Sequence, residues 1–241
     1  MLAALWWGLF SSAALFLGQL LARPLGRSER AIGLMMGFGG GTLLAAVAYE
    51  LIPEENLTDG WQIITCALVG ALVYYVGDRL VDRGGGSART AVARGQGEGG
   101  SGAAMFLGAL LDGVPEAFIL GLGLALGGQI SLAFLAAIFV SNIPQGLAGT
   151  TSLQEAGTSD RRITISWTLL TLACGLVSML GYAMADSVAH VGTYASAFAG
   201  GAVLMMLADS MIPESYRHGG RLVGLLTVVG FLVAGVLTVL Q

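Results

Sequence analysis

The stretch FGGGTLLAAVAYELIPE, residues 38–54, has a second, altered copy later in the chain. It aligns without gaps with FAGGAVLMMLADSMIPE, residues 198–214, and both copies end in Ile-Pro-Glu. The copies fall in the second and seventh apolar segments of the chain, an odd number of segments apart. They would therefore cross a membrane in opposite directions, and such inverted repeats commonly surround a site near the middle of the bilayer. The repeat predicts an inverted-repeat membrane protein.

The composition excludes a soluble domain. The chain has 241 residues, of which 55% are hydrophobic and 11% charged, with a mean hydropathy of +0.79. Soluble domains carry about 25% charged residues. Eight apolar segments are each long enough to cross a hydrocarbon core of about 30 Å: 2–22, 31–52, 62–80, 103–126, 130–151, 163–185, 191–211 and 221–240. We expect an all-α membrane protein with eight transmembrane helices in one polytopic domain, 1–241, surrounded by the lipid bilayer and binding no nucleic acid.

The basic residues predict an orientation. All eleven are arginines, and they follow the first, third, fifth and seventh segments: Arg23, Arg27, Arg30, Arg79, Arg83, Arg89, Arg94, Arg161, Arg162, Arg217 and Arg221. Loops rich in Arg stay in the cytoplasm. Both termini are therefore expected outside the cytoplasm, with the chain in the cytoplasmic (inner or plasma) membrane. Residues 81–102, which are rich in Gly with scattered Arg, are expected to be a flexible cytoplasmic linker between spans three and four.

Spans four and five resemble each other and divide the chain into a 3+2+3 arrangement. DGVPEAF, residues 112–118, aligns in sequence with SNIPQGL, residues 141–147, so that the two prolines coincide. Asp112 and Glu116 are four residues apart and share one helical face. Each proline also frees a backbone carbonyl one turn earlier. The polar pair of spans is expected at the centre of the protein.

An ionised carboxylate in the middle of a bilayer costs at least about 2.5–3.5 kcal/mol. Neither span four nor span five contains Arg or Lys. Asp112 and Glu116 are then either protonated and hydrogen-bonded across helices, or neutralised by a cation from outside the chain. The neighbouring donors are oxygen and amide groups, which favour hard cations such as Mn²⁺, Mg²⁺ or Ca²⁺. These candidate ligands are Asp112, Glu116, Ser141, Asn142 and Gln145.

The remaining metal-binding residue types have simpler interpretations. His190 and His218 lie in loops or at span ends and are expected to be surface residues. Cys66 and Cys174 lie inside predicted spans without CxxC spacing, and are expected to be core residues.

With these motifs in place, the chain resembles the ZIP family of divalent-metal transporters (Zrt-, Irt-like proteins). That family has eight spans in a 3+2+3 inverted-repeat arrangement, with HNxPEG in span four and HExPEG in span five. DGVPEA at 112–117 looks like the first motif, and SNIPQG at 141–146 looks like the second. The resemblance implies a ZIP-like fold that carries divalent cations. Small residues throughout the spans would permit the close packing of two copies in a homodimer, and no separate cofactor is expected.

The departures from the family motifs concern the ligands. The metal-binding His, Asn and Glu of span four carry over onto Asp112, Gly113 and Glu116, so only the glutamate is retained. Their counterparts in span five are Ser141, Asn142 and Gln145, where a bridging glutamate has become an amide. A further glutamate that the family often has in span six is replaced by Ser178. The resemblance therefore implies a transporter with weakened or altered zinc selectivity.

Three functions remain open on the sequence alone. The first is a permease for divalent metal cations with its site between spans four and five. The second is a ZIP-fold transporter for an organic cation or a proton-coupled small solute, which would explain why the soft ligands are gone. The third is a membrane scaffold without transport. No enzyme is expected, since Asp112 and Asp209 lack the GxGD context of intramembrane aspartyl proteases.

Overall fold

A computed structural model of the chain describes residues 1–26, 28–52, 60–83, 102–127, 131–185 and 192–240. This part of the chain is helical apart from short turns, and it contains no β-strand. Most of the predicted linker, residues 84–101, lies outside it, and so does His190. The linker and the single-domain assignment stay predictions.

The described residues form nine α-helices and two short π-helical segments. The helices are α1 (Leu2–Leu25), α2 (Glu29–Ala46), α3 (Trp61–Arg83), α4 (Gly102–Gly127), α5 (Leu132–Glu155), α6 (Asp160–Met184), α7 (Gly192–Met206), α8 (Ile212–Gly219) and α9 (Leu222–Val239). The π-helical segments are Val47–Leu51, which extends α2, and Leu207–Met211, which joins α7 to α8. Together they give eight spans that are long and apolar enough to cross a membrane, which confirms the predicted fold class.

Local sequence explains where several spans begin and end. Ser28 and Ser131 cap α2 and α5, since each hydroxyl accepts a hydrogen bond from the backbone N–H three residues later. The seventh span was predicted to end at residue 211, and this was wrong, because the helix continues to Gly219. Pro213 lies at the start of α8, directly after the π-helical segment.

The structure contains the predicted inverted repeat. α2 and α7 meet with their ends reversed: a Cβ added at Gly40 would contact Ile212, and one added at Gly200 would contact Ile52. The sequence alignment pairs Gly40 with Gly200 and Ile52 with Ile212. The two contacts are therefore related by a pseudo-twofold axis between the helices.

The same symmetry extends to α3 and α9. In α3, Gly70 lies against the backbone carbonyl of Phe198 in α7, and in α9, Gly230 lies against the carbonyl of Phe38 in α2. Phe38 and Phe198 are aligned in the repeat, and Gly70 and Gly230 are aligned when it is continued at the same offset. The repeat thus covers two spans in each half.

The π-helical segments also occupy aligned positions. Val47 aligns with Leu207 and Leu51 aligns with Met211, so the two segments coincide residue by residue. A π-helical turn holds one extra residue, and such turns are rare in proteins outside functional sites. Because the two segments coincide, the repeat is present in the structure as well as in the sequence.

Four of the spans pack together as one group. α1, α4, α5 and α6 form one group, in which Gly146 of α5 lies against the Leu15 carbonyl of α1, and Gly121 of α4 lies against the Ser178 carbonyl of α6. Outside this group, α2 packs with α9 and also with α5, and α3 packs with α7. The polar pair α4 and α5 is therefore central along the sequence, but each of its helices is held mainly by α1 or α6.

The outer surface is apolar. α3 and α9 each carry leucines and valines that are about half or more exposed, among them Leu68, Leu72, Leu232 and Val236. Apolar patches of this extent mark an interface with lipid or protein. Together with the eight long apolar helices, they make this chain a multi-pass membrane protein.

Candidate cation site

The two carboxylates of α4 have different surroundings. Glu116 is buried, with 1% of its surface exposed. Neither of its carboxylate oxygens has a hydrogen-bond partner within the described residues. Asp112, one turn earlier, is half-buried, and its Oδ1 accepts a hydrogen bond of 2.6 Å from the Tyr74 hydroxyl of α3. Asp112 is close enough for its charge to act on Glu116.

The lack of hydrogen-bond partners for Glu116 bears on whether its carboxyl group is protonated or ionised. Buried polar groups in proteins are nearly always hydrogen-bonded, and an ionised carboxylate in an apolar region needs a counter-charge. The alternative in which Glu116 is protonated and hydrogen-bonded to another helix finds no partner among the residues that the structure describes. A bound cation would satisfy both oxygens at once.

Two of the candidate ligands on α5, Ser141 and Asn142, donate hydrogen bonds to backbone carbonyls. The Ser141 hydroxyl is buried and donates to the Ile138 carbonyl at 2.9 Å. The Asn142 side-chain amide donates to the Ser11 carbonyl of α1 at 3.2 Å. This bond uses the nitrogen of Asn142, so its carbonyl oxygen is the atom that could bind a cation. Gln145, one turn after Ser141, is half-buried.

Ser178 lies at a crossing of helices. Its hydroxyl is buried and donates to the Ala4 carbonyl of α1 at 2.9 Å, while its Cβ faces Gly8 of the same helix. This contact holds α6 against α1. Ser178 as a metal ligand stays a prediction, as do the other ligand assignments.

Gly113 stands where the resemblance placed a metal-binding asparagine. A Cβ at this position would lie 3.0 Å from the Cys174 sulfur of α6, so a side chain here would require Cys174 to move by a few tenths of an ångström. Cys174 is buried, as predicted. The position therefore leaves little space for the asparagine that the resemblance would place there.

The described residues hold no group of three or more His, Cys, Asp or Glu side chains that could bind one metal ion. The candidate donors are instead two carboxylates on α4 and the amide and hydroxyl oxygens of α5. Donors of this kind suit hard cations better than zinc or copper.

Sequence analysis missed two residues of this region, Tyr74 and Asp78 of α3. Both are buried, with exposed fractions of 2% and 7%, and they lie four residues apart on one face. A tyrosine and an aspartate at this spacing in an otherwise apolar span were the available signal.

His218 was wrongly expected to be a surface residue. Its side chain is 2% exposed, and its Nδ1 and Nε2 lie 3.3 Å from Glu29 and 3.2 Å from Glu214, respectively. The ring therefore ties the start of α2 to α8. The cause is the continuation of the helix beyond Pro213, which packs α8 against α2.

Comparisons with known proteins give one distant relative. No family model matches this chain. A protein of Arabidopsis thaliana that carries the name "Putative zinc transporter" is 25% identical over an alignment of 196 residues, which covers 77% of this chain. The match spans 30% of the length of that protein.

Proposed function

We propose that this protein transports divalent metal cations across a membrane, through a site between α4 and α5. The observation that carries the proposal is Glu116, a buried carboxylate with neither oxygen bonded within the described residues. In this proposal a cation binds Glu116 and Asp112, and Asn142 and Gln145 add neutral oxygen ligands. Ser141 and Ser178 complete the set that the family resemblance implies.

Two further observations support a transporter. Inverted repeats flank midplane substrate sites in several transporter folds, and this chain has such a repeat with its polar spans beside the pseudo-twofold axis. The plant relative is named for zinc transport. The chain would belong to the ZIP-type permeases, with its Arg-bearing loops in the cytoplasm and both termini outside. Transport would come from movement of one half of the repeat against the other.

The ligand chemistry argues for altered selectivity. Zinc sites in proteins are built from Cys and His with carboxylates, and neither α4 nor α5 contains Cys or His. We therefore expect weak zinc binding and a preference for ions that accept oxygen ligands, such as Mn²⁺.

The test is uptake into proteoliposomes of Zn²⁺, Mn²⁺, Fe²⁺, Co²⁺, Cd²⁺ and Ca²⁺. We expect saturable uptake of at least one of these ions by the unmodified protein, and its loss in Glu116→Gln, which removes the charge but keeps the shape. Glu155→Gln is the matched control, because Glu155 is an exposed glutamate at the end of α5. Uptake that Glu116→Gln leaves unchanged would contradict the proposed site.

A second candidate is a transporter of the same fold for an organic cation. The observation that favours it is the lack of a three-ligand group in the described part of the chain. It predicts that no metal ion is taken up, while a small quaternary ammonium ion is taken up in a Glu116-dependent manner. If neither class of cation is carried by the folded protein, the non-transporting scaffold becomes the remaining interpretation.

A further inference from the structure

The packing of α8 against α2 brings together three side chains of metal-binding types. Glu214 and His218 lie one turn apart on α8, and Glu29 is the first residue of α2. The Nε2 of His218 lies 3.2 Å from Glu214 Oε1, and its Nδ1 lies 3.3 Å from Glu29 Oε2. The proposed transport site between α4 and α5 uses none of these residues.

A close approach of the two helices fixes the position of the ring. A Cβ added at Gly33 would meet the backbone nitrogen of Gly219 and would lie 2.8 Å from the His218 Cβ. Gly33 is one turn after Glu29 on the same face of α2. The His218 side chain is 2% exposed and that of Glu214 is 11% exposed. Side chains that are already held in place lose little conformational freedom when an ion binds.

The separation of the two ligand atoms on α8 fits a bound metal ion. Zinc lies about 2.0–2.2 Å from His nitrogen and from carboxylate oxygen, and it prefers tetrahedral angles. Two such ligands are then about 3.4 Å apart, which is close to the 3.2 Å between Nε2 and Oε1. A zinc ion would take the place of the hydrogen between these two atoms.

The contact on the other ring nitrogen has the arrangement of a supporting partner. Histidines that bind a metal usually donate their second ring N–H to a carboxylate or carbonyl, which fixes the tautomer and the orientation of the ring. Glu29 Oε2 occupies that position beside Nδ1. Glu29 and Glu214 contact different ring nitrogens, in agreement with the lack of a three-ligand group among the described residues.

The charges around the ring also suit a divalent cation. The carboxylates of Glu29 and Glu214 flank one imidazole, and opposite charges at this range attract a cation. Arg217, the neighbour of His218 in the chain, is exposed. Its charge is screened by solvent and ions, so it offsets the carboxylates only in part.

We propose that Glu214 and His218 bind a zinc ion at the contact between α8 and α2, with Glu29 as the positioning residue for the imidazole ring. Water completes the coordination of the ion, and the 68% exposed side chain of Glu29 brings the cluster to the surface. Sites of this kind bind zinc more tightly than manganese. The bound ion holds α8 against α2, whether or not the protein transports metals.

Isothermal titration of the purified protein with ZnCl₂ in detergent tests this site. The titrations use Glu116→Gln, so that ions at the proposed transport site do not contribute. We expect one zinc ion per chain, and no measurable binding of MnCl₂ at the same concentrations. His218→Asn should abolish zinc binding, because an asparagine amide can still donate to Glu29 but offers no ligand at the Nε2 position.

Glu29→Gln tests the positioning role. Since the Glu29 side chain is exposed, this change should affect stability little, and we expect it to lower the zinc affinity by about tenfold. His190→Asn, which removes the other histidine of the chain, and Glu155→Gln, at an exposed glutamate, are the controls. Neither control should change the zinc affinity.

Zinc should also raise the unfolding temperature of Glu116→Gln, and this rise should disappear when His218→Asn is added. Zinc binding that survives His218→Asn, or no zinc binding by the folded Glu116→Gln protein, would overturn the inference. If His218→Asn does not fold, Glu29→Gln decides, and an unchanged affinity in that variant counts against the site. Metal uptake tests the proposed function separately, so that either proposal can fail while the other stands.

Discussion

Gly70 and Gly230 make the same contact in the two halves of the protein. Each lies directly against the backbone carbonyl of an aligned phenylalanine, Phe198 for Gly70 and Phe38 for Gly230. A β-carbon at either position would overlap that carbonyl. These contacts set the distance between α3 and α7 and between α9 and α2.

We expect Gly70→Ala and Gly230→Ala to destabilise the protein by similar amounts, each about 1–3 kcal/mol, since overpacking forces the helices apart. Thermal unfolding in detergent would measure both. Gly123→Ala is the control, because a β-carbon at Gly123 meets nothing within 4 Å. That variant should match or exceed the unmodified protein, because alanine favours helix over glycine. Unequal losses at Gly70 and Gly230 would argue against equivalent roles in the repeat.

A transported cation should also stabilise the folded protein. A ligand present at a hundred times its dissociation constant adds about 2.7 kcal/mol by mass action. We expect the best-transported ion to raise the unfolding temperature of the unmodified protein, and to have no such effect on Glu116→Gln. An equal rise in both proteins would place the bound ion elsewhere. Glu155→Gln should respond as the unmodified protein does.

Trp167 reports on the contact between α5 and α6. Its indole nitrogen donates to the Thr150 hydroxyl at 3.0 Å, and both residues are buried. Thr150→Val keeps the shape but leaves the indole N–H without its acceptor, which should cost about 1–3 kcal/mol. Tryptophan fluorescence during denaturation would follow it. Thr168→Val should cost much less, since the Thr168 hydroxyl is exposed and bonds within its own helix.

His218 should be energetically coupled to Glu214. Removing the ring in His218→Ala leaves the nearly buried Glu214 carboxylate without this partner, and we expect a loss of about 2 kcal/mol. In combination with Glu214→Gln the loss should be smaller than the sum of the two single changes, with a coupling of about 0.5–3 kcal/mol. Additive losses would show that the two side chains act independently.

Glu29→Gln is the comparison for the double-mutant experiment on His218 and Glu214. Glu29 contacts the other nitrogen of His218, but its side chain is 68% exposed. Exposed ion pairs contribute about 0–1 kcal/mol, so the change at Glu29 should be clearly smaller than that at Glu214.

The fold could be predicted because its main signals are local or repeated. Apolar segments of sufficient length gave the spans, and the two Ile-Pro-Glu copies gave the inverted repeat. The packing of α4 with α6 and of α5 with α1 could not be predicted in this way. It depends on close approaches such as that of Gly146 to Leu15, and a glycine in an apolar span does not indicate which helix it will meet.

Of the residues around the candidate site, only those of α4 and α5 could be predicted from the sequence. Asp112 and Glu116 stood out because a carboxylate in the middle of a span has a known cost. Asp78 did not stand out, because it precedes Arg79 near a span end and could have faced water. Its burial depends on the side of α3 that packs against α4. His218 was missed because the seventh span was predicted to end at residue 211, which placed His218 outside the helix.

The paired π-helical segments bear on the history of the chain. Each requires one extra residue in its helix, and the two insertions stand at the same place in the repeat, between Val47 and Leu51 and between Leu207 and Met211. One insertion in a common ancestor accounts for both, whereas two separate events would have had to coincide. The wide turn is therefore older than the duplication.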